Sequence, residues 1–367
     1  MKRNLLKGLC GLAMMCCAAG VFAGGAKDAS ASGSDKLVMG ALIRNMNETF
    51  VANYAANLQT LADNAGVELR LLDGNSDVAT QLDQLNTLLT QGVKYFVIIP
   101  QDTAATEQMC QLINAQGGAA AFSNIQPSVE ALKVGKNFYL ASSPETVAGN
   151  IQAEIADEYF KAHPDKLGPN NTVNLLIING QLGHPAQINR RQGAIDGLEA
   201  RGYNVNIVAE QTANWGAAEA QALMDAWLAA YSGQFNMVFA QNDDMAMGAV
   251  ESMLTNQFTD DPNDITKDVD GDGTVTKVPV IGVDATPAGQ QSIRENKMYA
   301  TVLQDAVGQS TTAFELMYIT ATQGSAIGAT AGGITATTEL GEDPATDPAI
   351  LDQCFLVPFK KVTKADL

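Results

Sequence analysis

The sequence predicts an α/β protein made of two doubly wound lobes, each built on a parallel sheet. Short apolar runs alternate with amphipathic stretches, the rhythm restarts once after residues 138–143, and 367 residues are enough for about two domains. This alternation implies right-handed crossovers and a sheet covered on both faces. Ligands of open α/β sheets bind beyond the carboxyl ends of the strands, so the loops after the strands are where a functional site is expected.

The part of the chain before the restart contains four predicted strands and three predicted helices. The strands are 37–43, 67–72, 93–99 and 138–143, and the helices are 50–65, 78–89 and 103–115. In the first helix Val51, Tyr54 and Leu58 follow helical spacing. Asp102 is well placed to cap the third helix, because its side chain can accept a backbone hydrogen bond there.

The second part of the chain repeats the pattern with five predicted strands and six predicted helices. The strands are 173–178, 205–208, 237–240, 278–283 and 299–303, and the helices are 146–162, 186–200, 217–231, 245–254, 288–293 and 311–322. The stretch 325–347 is rich in Gly, Ala and Thr and is expected to be a loop before a final segment, 350–362.

Charge and composition exclude several classes of protein. Lys and Arg total 22 against 40 Asp and Glu, which gives a formal net charge of −18, and no basic block exists to neutralise phosphates. Nucleic acid is therefore not an expected partner. The 33 Gly are not periodic and charged residues occur throughout, so collagen-like and multi-span membrane classes are also excluded.

The first residues are typical of a secretory signal peptide, 1–23. Basic residues at positions 2, 3 and 7 precede an apolar stretch, 9–22, and small residues follow where signal peptidase cuts. Residues 24–35 are rich in Gly, Ala and Ser and are expected to be a flexible tether. The sequence therefore predicts an exported protein.

The cysteines do not form a disulfide framework. An alternative to a cleaved, soluble product is lipid attachment at Cys16 or Cys17, although Met15 is larger than a lipobox normally accepts at that position. After cleavage only Cys110 and Cys354 remain, and both lie in apolar patterns. We expect them to be buried small hydrophobic residues, and metal binding by cysteine is excluded.

The loops after the predicted strands carry planar polar groups, and two of them also carry aromatic rings. The residues are Arg44, Asn45, Asn47, Glu48, Phe50, Gln101, Asp102, His184, Arg190, Asn214, Trp215, Gln241, Asn242, Asp243, Asp244, Asp284, Gln304 and Asp305. A sugar suits this combination, because its hydroxyls both donate and accept hydrogen bonds while its C–H faces pack on flat rings. Taken singly, these residues are as readily explained as helix caps or core side chains.

Three segments carry a resemblance to a known family. Residues 237–250 (MVFAQNDDMAMGAV), 278–285 (VPVIGVDA) and 224–228 (MDAWL) resemble the periplasmic D-galactose/D-glucose-binding proteins, within the wider family of ribose-type sugar-binding proteins. The similarity runs from about Lys36 to the C-terminus. It implies the periplasmic binding protein type I fold, in which two lobes joined by a three-strand hinge close over one monosaccharide in a cleft.

The resemblance also implies location and partners. The protein is expected in the periplasm as a monomer that delivers its sugar to the permease subunits of an ABC importer, and in some members also to a chemoreceptor. The N-terminal lobe is expected to comprise 36–142 plus about 304–352, and the C-terminal lobe about 143–303 plus 353–367. An insertion, 256–277, falls in the C-terminal lobe.

The family's sugar-binding positions carry over in part. Positions with the family residue type are Phe50 and Trp215, which would stack on the sugar, and His184, Arg190, Asn242 and Asp284. Positions that depart are Glu48 for Asp, Ile99 for Asn, Ala186 for Asp and Gln304 for Asn. Because Glu48 and Gln304 still offer polar groups, we expect them to contact the ligand. D-glucose or D-galactose is the first expectation, and a ribose-, xylose- or inositol-type ligand is the alternative.

A calcium loop is the most specific short motif in the chain. The expected ligands are Asp268, Asp270, Asp272, Thr274 and Thr276, at the spacing of an EF-hand loop with Gly271 and Gly273 between them. Position 12 is Pro279 instead of Glu, so further oxygens are needed. The candidates are Asp260, Asp261, Asp264 and Glu251. The resembling family has its loop elsewhere, so this structural calcium site is relocated; a metal-free turn is the alternative.

Two other functions are less consistent with the sequence. An enzyme would need catalytic groups, yet only His163 and His184 are present, and no Gly-x-Ser-x-Gly or phosphate-binding loop occurs. Paired carboxylates of a glycosidase are not placed by sequence alone. A repressor of the same two-lobed fold would need a helix-turn-helix, and the sequence has a signal peptide in its place.

Overall fold

The computed structural model describes residues 36–341 and 346–367. The predicted signal peptide, 1–23, the tether, 24–35, and the alternative lipid sites Cys16 and Cys17 lie outside the described residues.

The described chain contains fourteen strands and ten α-helices. The strands are β1 (Val38–Ile43), β2 (Glu68–Asp73), β3 (Tyr95–Ile99), β4 (Ala119–Phe122), β5 (Phe138–Ser142), β6 (Thr172–Asn179), β7 (Asn204–Thr212), β8 (Met237–Ala240), β9 (Val280–Ile281), β10 (Ala300–Leu303), β11 (Thr330–Ala331), β12 (Ile334–Thr335), β13 (Cys354–Leu356) and β14 (Lys360–Thr363). The helices are α1 (Thr49–Ala65), α2 (Val78–Thr90), α3 (Thr106–Ala115), α4 (Val129–Lys133), α5 (Glu145–Ala162), α6 (Pro185–Ala200), α7 (Ala217–Tyr231), α8 (Asp243–Thr255), α9 (Pro287–Arg294) and α10 (Ala306–Gln323).

Two six-stranded sheets form the two lobes. The first has the order β13-β5-β4-β3-β1-β2 and is parallel throughout. The second has the order β14-β10-β9-β8-β6-β7 and is parallel except for β14, which pairs antiparallel with β10. Each sheet has an apolar core on both faces, as a doubly wound fold requires. The predicted two-lobed α/β fold is confirmed.

The chain crosses between the lobes three times. It leaves the first sheet after β5, returns after β10, and crosses again between β13 and β14. The last crossing therefore lies between Leu356 and Lys360, a few residues later than the predicted boundary at 352. The prediction took 350–362 as one segment, whereas the structure places its two strands in different sheets.

Two elements of the first lobe were missed from the sequence. β4 is the four-residue run Ala-Ala-Ala-Phe, and it is fully buried, so it shows no polar alternation. Helix α4 has only five residues. In the predicted loop 325–347, the short hairpin of β11 and β12 was also not foreseen.

The remaining cysteines are as predicted. Cys110 and Cys354 are both buried and free of disulfides, and they share one apolar cluster of the first lobe. Among the described residues, no helix is both long and apolar enough to cross a membrane.

Candidate functional site

The strand ends of the two sheets face one cavity between the lobes. All eight residues predicted to bind a sugar line it, and they are Glu48, Phe50, His184, Arg190, Trp215, Asn242, Asp284 and Gln304. Arg44, Thr49, Val51, Asn124 and Ala186 complete the lining. The sequence rule that polar groups gather at the carboxyl ends of parallel strands thus locates one site.

Trp215 forms a flat apolar wall of this cavity. A Cβ at Gly180, just after β6, would lie 2.1 Å from the indole, so glycine is what allows the ring to lie against the strand end. Trp215 and its neighbour Asn214 have positive φ, at 69° and 49°, which forms the tight turn that presents the ring. The His184 ring meets the indole edge to face at 5.2 Å.

Arg190 is the most highly connected charged group of the site. Its Nε donates to Glu145 at 2.7 Å, one terminal nitrogen donates to the Gln241 carbonyl, and the other donates to Gln304 Oε1 at 3.0 Å. Burial would lower the pKa of Arg190, but the carboxylates of Glu145 and Asp284 outweigh it and raise that pKa. The guanidinium is therefore a fixed positive charge with its planar face near Trp215.

Asp284 is presented by a strained turn that a second aspartate holds. Asp284 and Ala285 have φ of 118° and 54°, in the region that favours glycine. The buried Asp243 accepts a hydrogen bond from the Thr286 backbone N–H at 2.7 Å and one from the Thr301 hydroxyl. Its carboxylate thereby ties the turn and the neighbouring strand β10 to the start of α8.

Close packing leaves no room for Asp243 to move. A Cβ at Gly282 would lie 2.4 Å from one carboxylate oxygen, and one at Gly289 would lie 2.2 Å from the other. Burial raises the pKa of Asp243 to about 7 and raises the pKa of Asp284 well above its usual range, although Arg190 lowers the latter. The two acids and their glycines form one rigid support for the cavity wall.

The first lobe contributes an ion pair. Arg44 and Glu48 are bonded to each other one helical turn apart, at the loop that leads into α1. Burial raises the pKa of Glu48, Arg44 opposes that rise, and Asp244 of the other lobe adds to it. The next residue, Thr49, donates its hydroxyl to Asp244 at 2.6 Å, which is a direct hydrogen bond between the two lobes.

Three buried hydrogen-bond donors of this cavity have no acceptor among the described residues. They are Arg44 Nε, His184 Nε2 and Trp215 Nε1. The tautomer of His184 is set by the Ala186 N–H, which donates to Nδ1 at 3.1 Å and leaves the ring hydrogen on Nε2. Burial lowers the pKa of His184 well below its usual value, and Arg44 and Arg190 lower it further, so the ring is neutral.

The carboxamides of the site are largely engaged with protein. Asn242 donates to the Trp215 carbonyl at 3.1 Å and caps α8 through the Met245 N–H. Gln304 bridges Arg190 and Glu145 at the crossing between lobes. Ile99 is fully buried and does not line the cavity, so its side chain offers the cavity no polar group.

Five lining residues lie outside the eight predicted ligand contacts, Arg44 and Asn124 among them. Arg44 directly follows β1 and belongs to the predicted set of strand-end polar groups, but it is not one of the eight expected contacts. Asn124 follows β4 and has a φ of 60°. It was missed because β4 was missed, since a run of three alanines gives little strand signal.

The five predicted calcium ligands do not converge on one point in the structure. Asp268 and Asp270 have carboxylate oxygens within 4.8 Å of each other and of Asp260, one of the candidate extra ligands. Asp272 is turned inward, where it accepts from the Tyr159 hydroxyl at 2.7 Å and pairs with Lys166 at 3.2 Å.

The threonines of the loop do not join this group of carboxylates. The hydroxyls of Thr274 and Thr276 are buried and hydrogen-bonded to each other at 2.8 Å. The carboxylates that fit a calcium ion are therefore Asp260, Asp268 and Asp270, since hard oxygen donors that converge are what Ca²⁺ prefers.

Two doubly wound lobes, three crossings and a polar cavity between the strand ends define a binding protein whose lobes hold a ligand between them. The chain belongs to the family described as periplasmic binding protein domain, whose model matches residues 39–325. Membership of this family implies a periplasmic location.

Individual proteins are similar over most of the chain. The D-galactose/methyl-galactoside binding periplasmic protein of Haemophilus influenzae is 27% identical over 253 residues, covering 68% of this chain and 71% of that protein. The xylitol-binding protein of Mycolicibacterium smegmatis is 27% identical over 286 residues, covering 78% and 72%.

A solved structure supports the same assignment. The ABC transporter solute binding protein of Bacillus halodurans with bound myo-inositol is 25% identical, with a TM-score of 0.69, covering 91% of this chain and 97% of that one. The family and these relatives are solute-binding proteins, so the chain is a binding protein and not an enzyme.

Proposed function

We propose that this protein captures one neutral monosaccharide or polyol between its lobes and delivers it to the permease subunits of an ABC importer. The observation that carries this proposal is the set of buried donors without acceptors at Arg44, His184 and Trp215, which lie around one cavity. Leaving such groups unpaired costs free energy, and the oxygens of a polyhydroxylated ligand would remove that cost.

The rest of the cavity fits the same ligand. Trp215 and Phe50 offer flat apolar surfaces, while Glu48 and Asp284 accept hydrogen bonds from hydroxyls. Two guanidinium groups and two carboxylates give the wall little net charge, which favours an uncharged molecule. Closure follows from the differential affinity of the ligand for the closed form. That a chemoreceptor also binds the closed form, in addition to the importer, stays a prediction.

D-glucose or D-galactose is the first proposal for the ligand. The two rings and the Arg190, Asn242 and Asp284 set support it. The second candidate is a pentose or a cyclic or linear polyol, supported by Ala186 and Ile99, which remove polar contacts that a hexose hydroxyl would use. The similarity to a xylitol-binding protein and to an inositol complex favours the same candidate.

A thermal-shift screen tests the ligand class. The panel is D-glucose, D-galactose, D-ribose, D-xylose, xylitol and myo-inositol, each with wild-type protein and with Trp215→Ala. A ligand at about 100 times its Kd stabilises a protein by about 2.7 kcal/mol, so we expect the Tm to rise by several degrees with at least one compound. The rise should be lost in the variant. Folded protein whose Tm no compound raises would contradict the proposal.

We further propose that Asp260, Asp268 and Asp270 hold a calcium ion that stabilises the loop from 256 to 277. The convergence of their carboxylates supports this site. When bound, the ion would offset two of the three negative charges that otherwise repel one another. The alternative is a loop without metal, in which a lysine supplies the positive charge. The Lys166 ammonium forms ion pairs with Asp270 and Asp272.

Calcium titration of chelator-treated protein separates the two arrangements. We expect millimolar calcium to raise the Tm by a few degrees, and Asp268→Asn to abolish the rise. Asp264→Asn is the matched control, since Asp264 is in the same loop but outside the carboxylate group. If calcium leaves the Tm of wild type unchanged, Lys166 and not a metal supplies the loop's positive charge.

A further inference from the structure

A second cavity opens beside the ligand cavity. It lies between residues 76–78 and 101–103 of the first lobe and residues 181–185 of the second. Its volume is about 640 Å³, within the range of about 300–1,000 Å³ that ligand clefts usually have. His184 lines both cavities, so they adjoin at this side chain. We call this second cavity the vestibule.

The junction between the two cavities offers a hydrogen-bond donor. His184 presents an Nε2–H that is buried and unpartnered, while its Nδ1 accepts from the Ala186 N–H. An ether oxygen only accepts, so it could take this hydrogen bond without needing a partner for a hydrogen of its own.

The walls of the vestibule are suited to hydroxyl groups. Gln101 Oε1 is a buried acceptor that has no donor among the described residues. Asp77 and Asp102 each use one carboxylate oxygen to cap a helix, at 2.6 and 2.9 Å, and keep the second oxygen as an acceptor. The hydroxyls of a sugar would donate to the buried Gln101 oxygen and could replace water at the two exposed carboxylates.

The vestibule also has an apolar surface and no countercharge for an anion. Leu182 is 65% exposed at its rim, the largest exposure of a bulky apolar side chain in the described residues. Among the described residues that line the vestibule, none is Lys or Arg. Phosphorylated or acidic groups are therefore disfavoured, while the mixed faces of a neutral sugar are accommodated.

We infer that the physiological ligand is a glycoside or disaccharide whose first ring lies in the ligand cavity and whose second unit occupies the vestibule. The linking oxygen would accept from His184 Nε2–H. This inference rests on the proposed function and narrows its ligand class from free monosaccharides to substituted ones.

Calorimetric titration of matched pairs tests the inference. The probes are D-galactose against methyl galactosides, lactose and melibiose, D-glucose against methyl glucosides, maltose and cellobiose, and myo-inositol against its galactoside. We expect at least one substituted compound to bind within threefold of its parent ring or more tightly. Binding of every substituted compound more than threefold more weakly than a parent ring that binds would overturn the inference.

A pair of leucine variants locates the second unit. Leu182→Ala should weaken binding of the substituted compound at least fivefold, and the affinity for the parent ring should stay within twofold of wild type. Leu340→Ala is the matched control, because Leu340 is 60% exposed and lines neither cavity. An equal loss of affinity for the substituted compound and for the parent ring in Leu182→Ala would contradict a vestibule subsite. Failure of all rings and all glycosides to bind would instead refute the proposed function.

Discussion

Trp215 and Gly180 show how one residue pair sets the shape of the cleft. The indole lies where any side chain at Gly180 would stand, and the turn with positive φ at Asn214 and Trp215 fixes its direction. Replacement of Gly180 would therefore displace the ring, although Gly180 itself does not line the cavity. The flat surface of the cavity therefore depends on Gly180 as well as on Trp215.

Trp215→Ala should weaken sugar binding by about tenfold or more, because a stacked ring and an indole donor are lost together. Trp215→Phe is the matched variant, since it keeps an aromatic ring and lacks the indole N–H. Its loss of sugar affinity should be smaller than that of Trp215→Ala. Isothermal titration measures both, with circular dichroism melts to show that each variant is folded. An affinity of Trp215→Ala within twofold of wild type would remove this residue from the site.

Asp243 should make stability depend on pH. Its pKa is raised by burial to about 7, whereas an aspartate in the unfolded chain titrates near about 3.9. Between these values the folded state binds more protons than the unfolded state, so stability falls as pH rises. Asp284 acts in the same direction, because burial raises its pKa too.

The test compares urea unfolding of wild type and Asp243→Asn from pH 5 to pH 8. The stability of wild type relative to the variant should decrease with rising pH, since only wild type loses the proton. Asp83→Asn, which changes an exposed residue of α2, is the control and should leave the slope unchanged. A difference that is constant or grows with pH would show that Asp243 is ionised throughout.

Most cleft residues are predictable from sequence because position along a strand determines them. Residues that come within two positions of the end of an apolar run, such as Asn242 and Asp284, must lie at the sheet edge. What sequence does not give is which polar atoms are already used. Asn242 and Gln304 line the cavity with their carboxamides engaged, whereas His184 keeps a free donor, and only the three-dimensional contacts distinguish these cases.

At the scale of elements, two helix N-termini from opposite lobes meet at the cleft. Thr49 begins α1 and Asp244 lies in the first turn of α8, and their hydrogen bond exists only while the lobes are together. Asp244 also places a carboxylate near Glu48, which opposes closure. The hydroxyl of Thr49 therefore offsets part of the repulsion between two acids that closure brings near each other.

Thr49→Val should shift the protein toward the open form. It keeps the shape of the side chain and removes one hydrogen bond to a carboxylate, so the Kd should rise about three- to tenfold, mainly through faster release. Stopped-flow dissociation measures this. Thr60→Val on the same helix is the control, because its hydroxyl bonds only to the Ala56 carbonyl. Equal release rates for the two variants would mean that the contact does not stabilise closure.

The elements that sequence failed to predict are those that tertiary contacts define. β4 is too short and too rich in alanine to carry a strand pattern, and it forms because β3 and β5 lie on either side of it. β13 and β14 read as one apolar segment, yet a break of three residues sends them to different sheets. The motif 268–276 predicts a sharp acidic turn, but not that Asp272 faces Tyr159.

At the scale of the whole molecule, the chain is strongly acidic, whereas the cavity between the lobes has nearly balanced charge. The formal net charge of −18 disfavours phosphate-rich partners, while the cavity itself pairs Arg44 with Glu48 and Arg190 with Glu145. Both arginines are thus neutralised locally, and the wall facing the ligand is polar without being strongly charged. Such a surface suits a neutral, hydroxyl-rich molecule held from both sides.

Isothermal titration of the sugar that gives the largest thermal shift tests the central claim most directly, with the sugar recovered afterwards and identified by NMR. The account predicts saturable binding at one site per chain, recovery of the sugar unchanged, and loss of most of the affinity in Trp215→Ala. Absence of saturable binding across the panel and its glycosides, or conversion of the sugar into a product, would contradict a cleft that binds and releases its ligand intact.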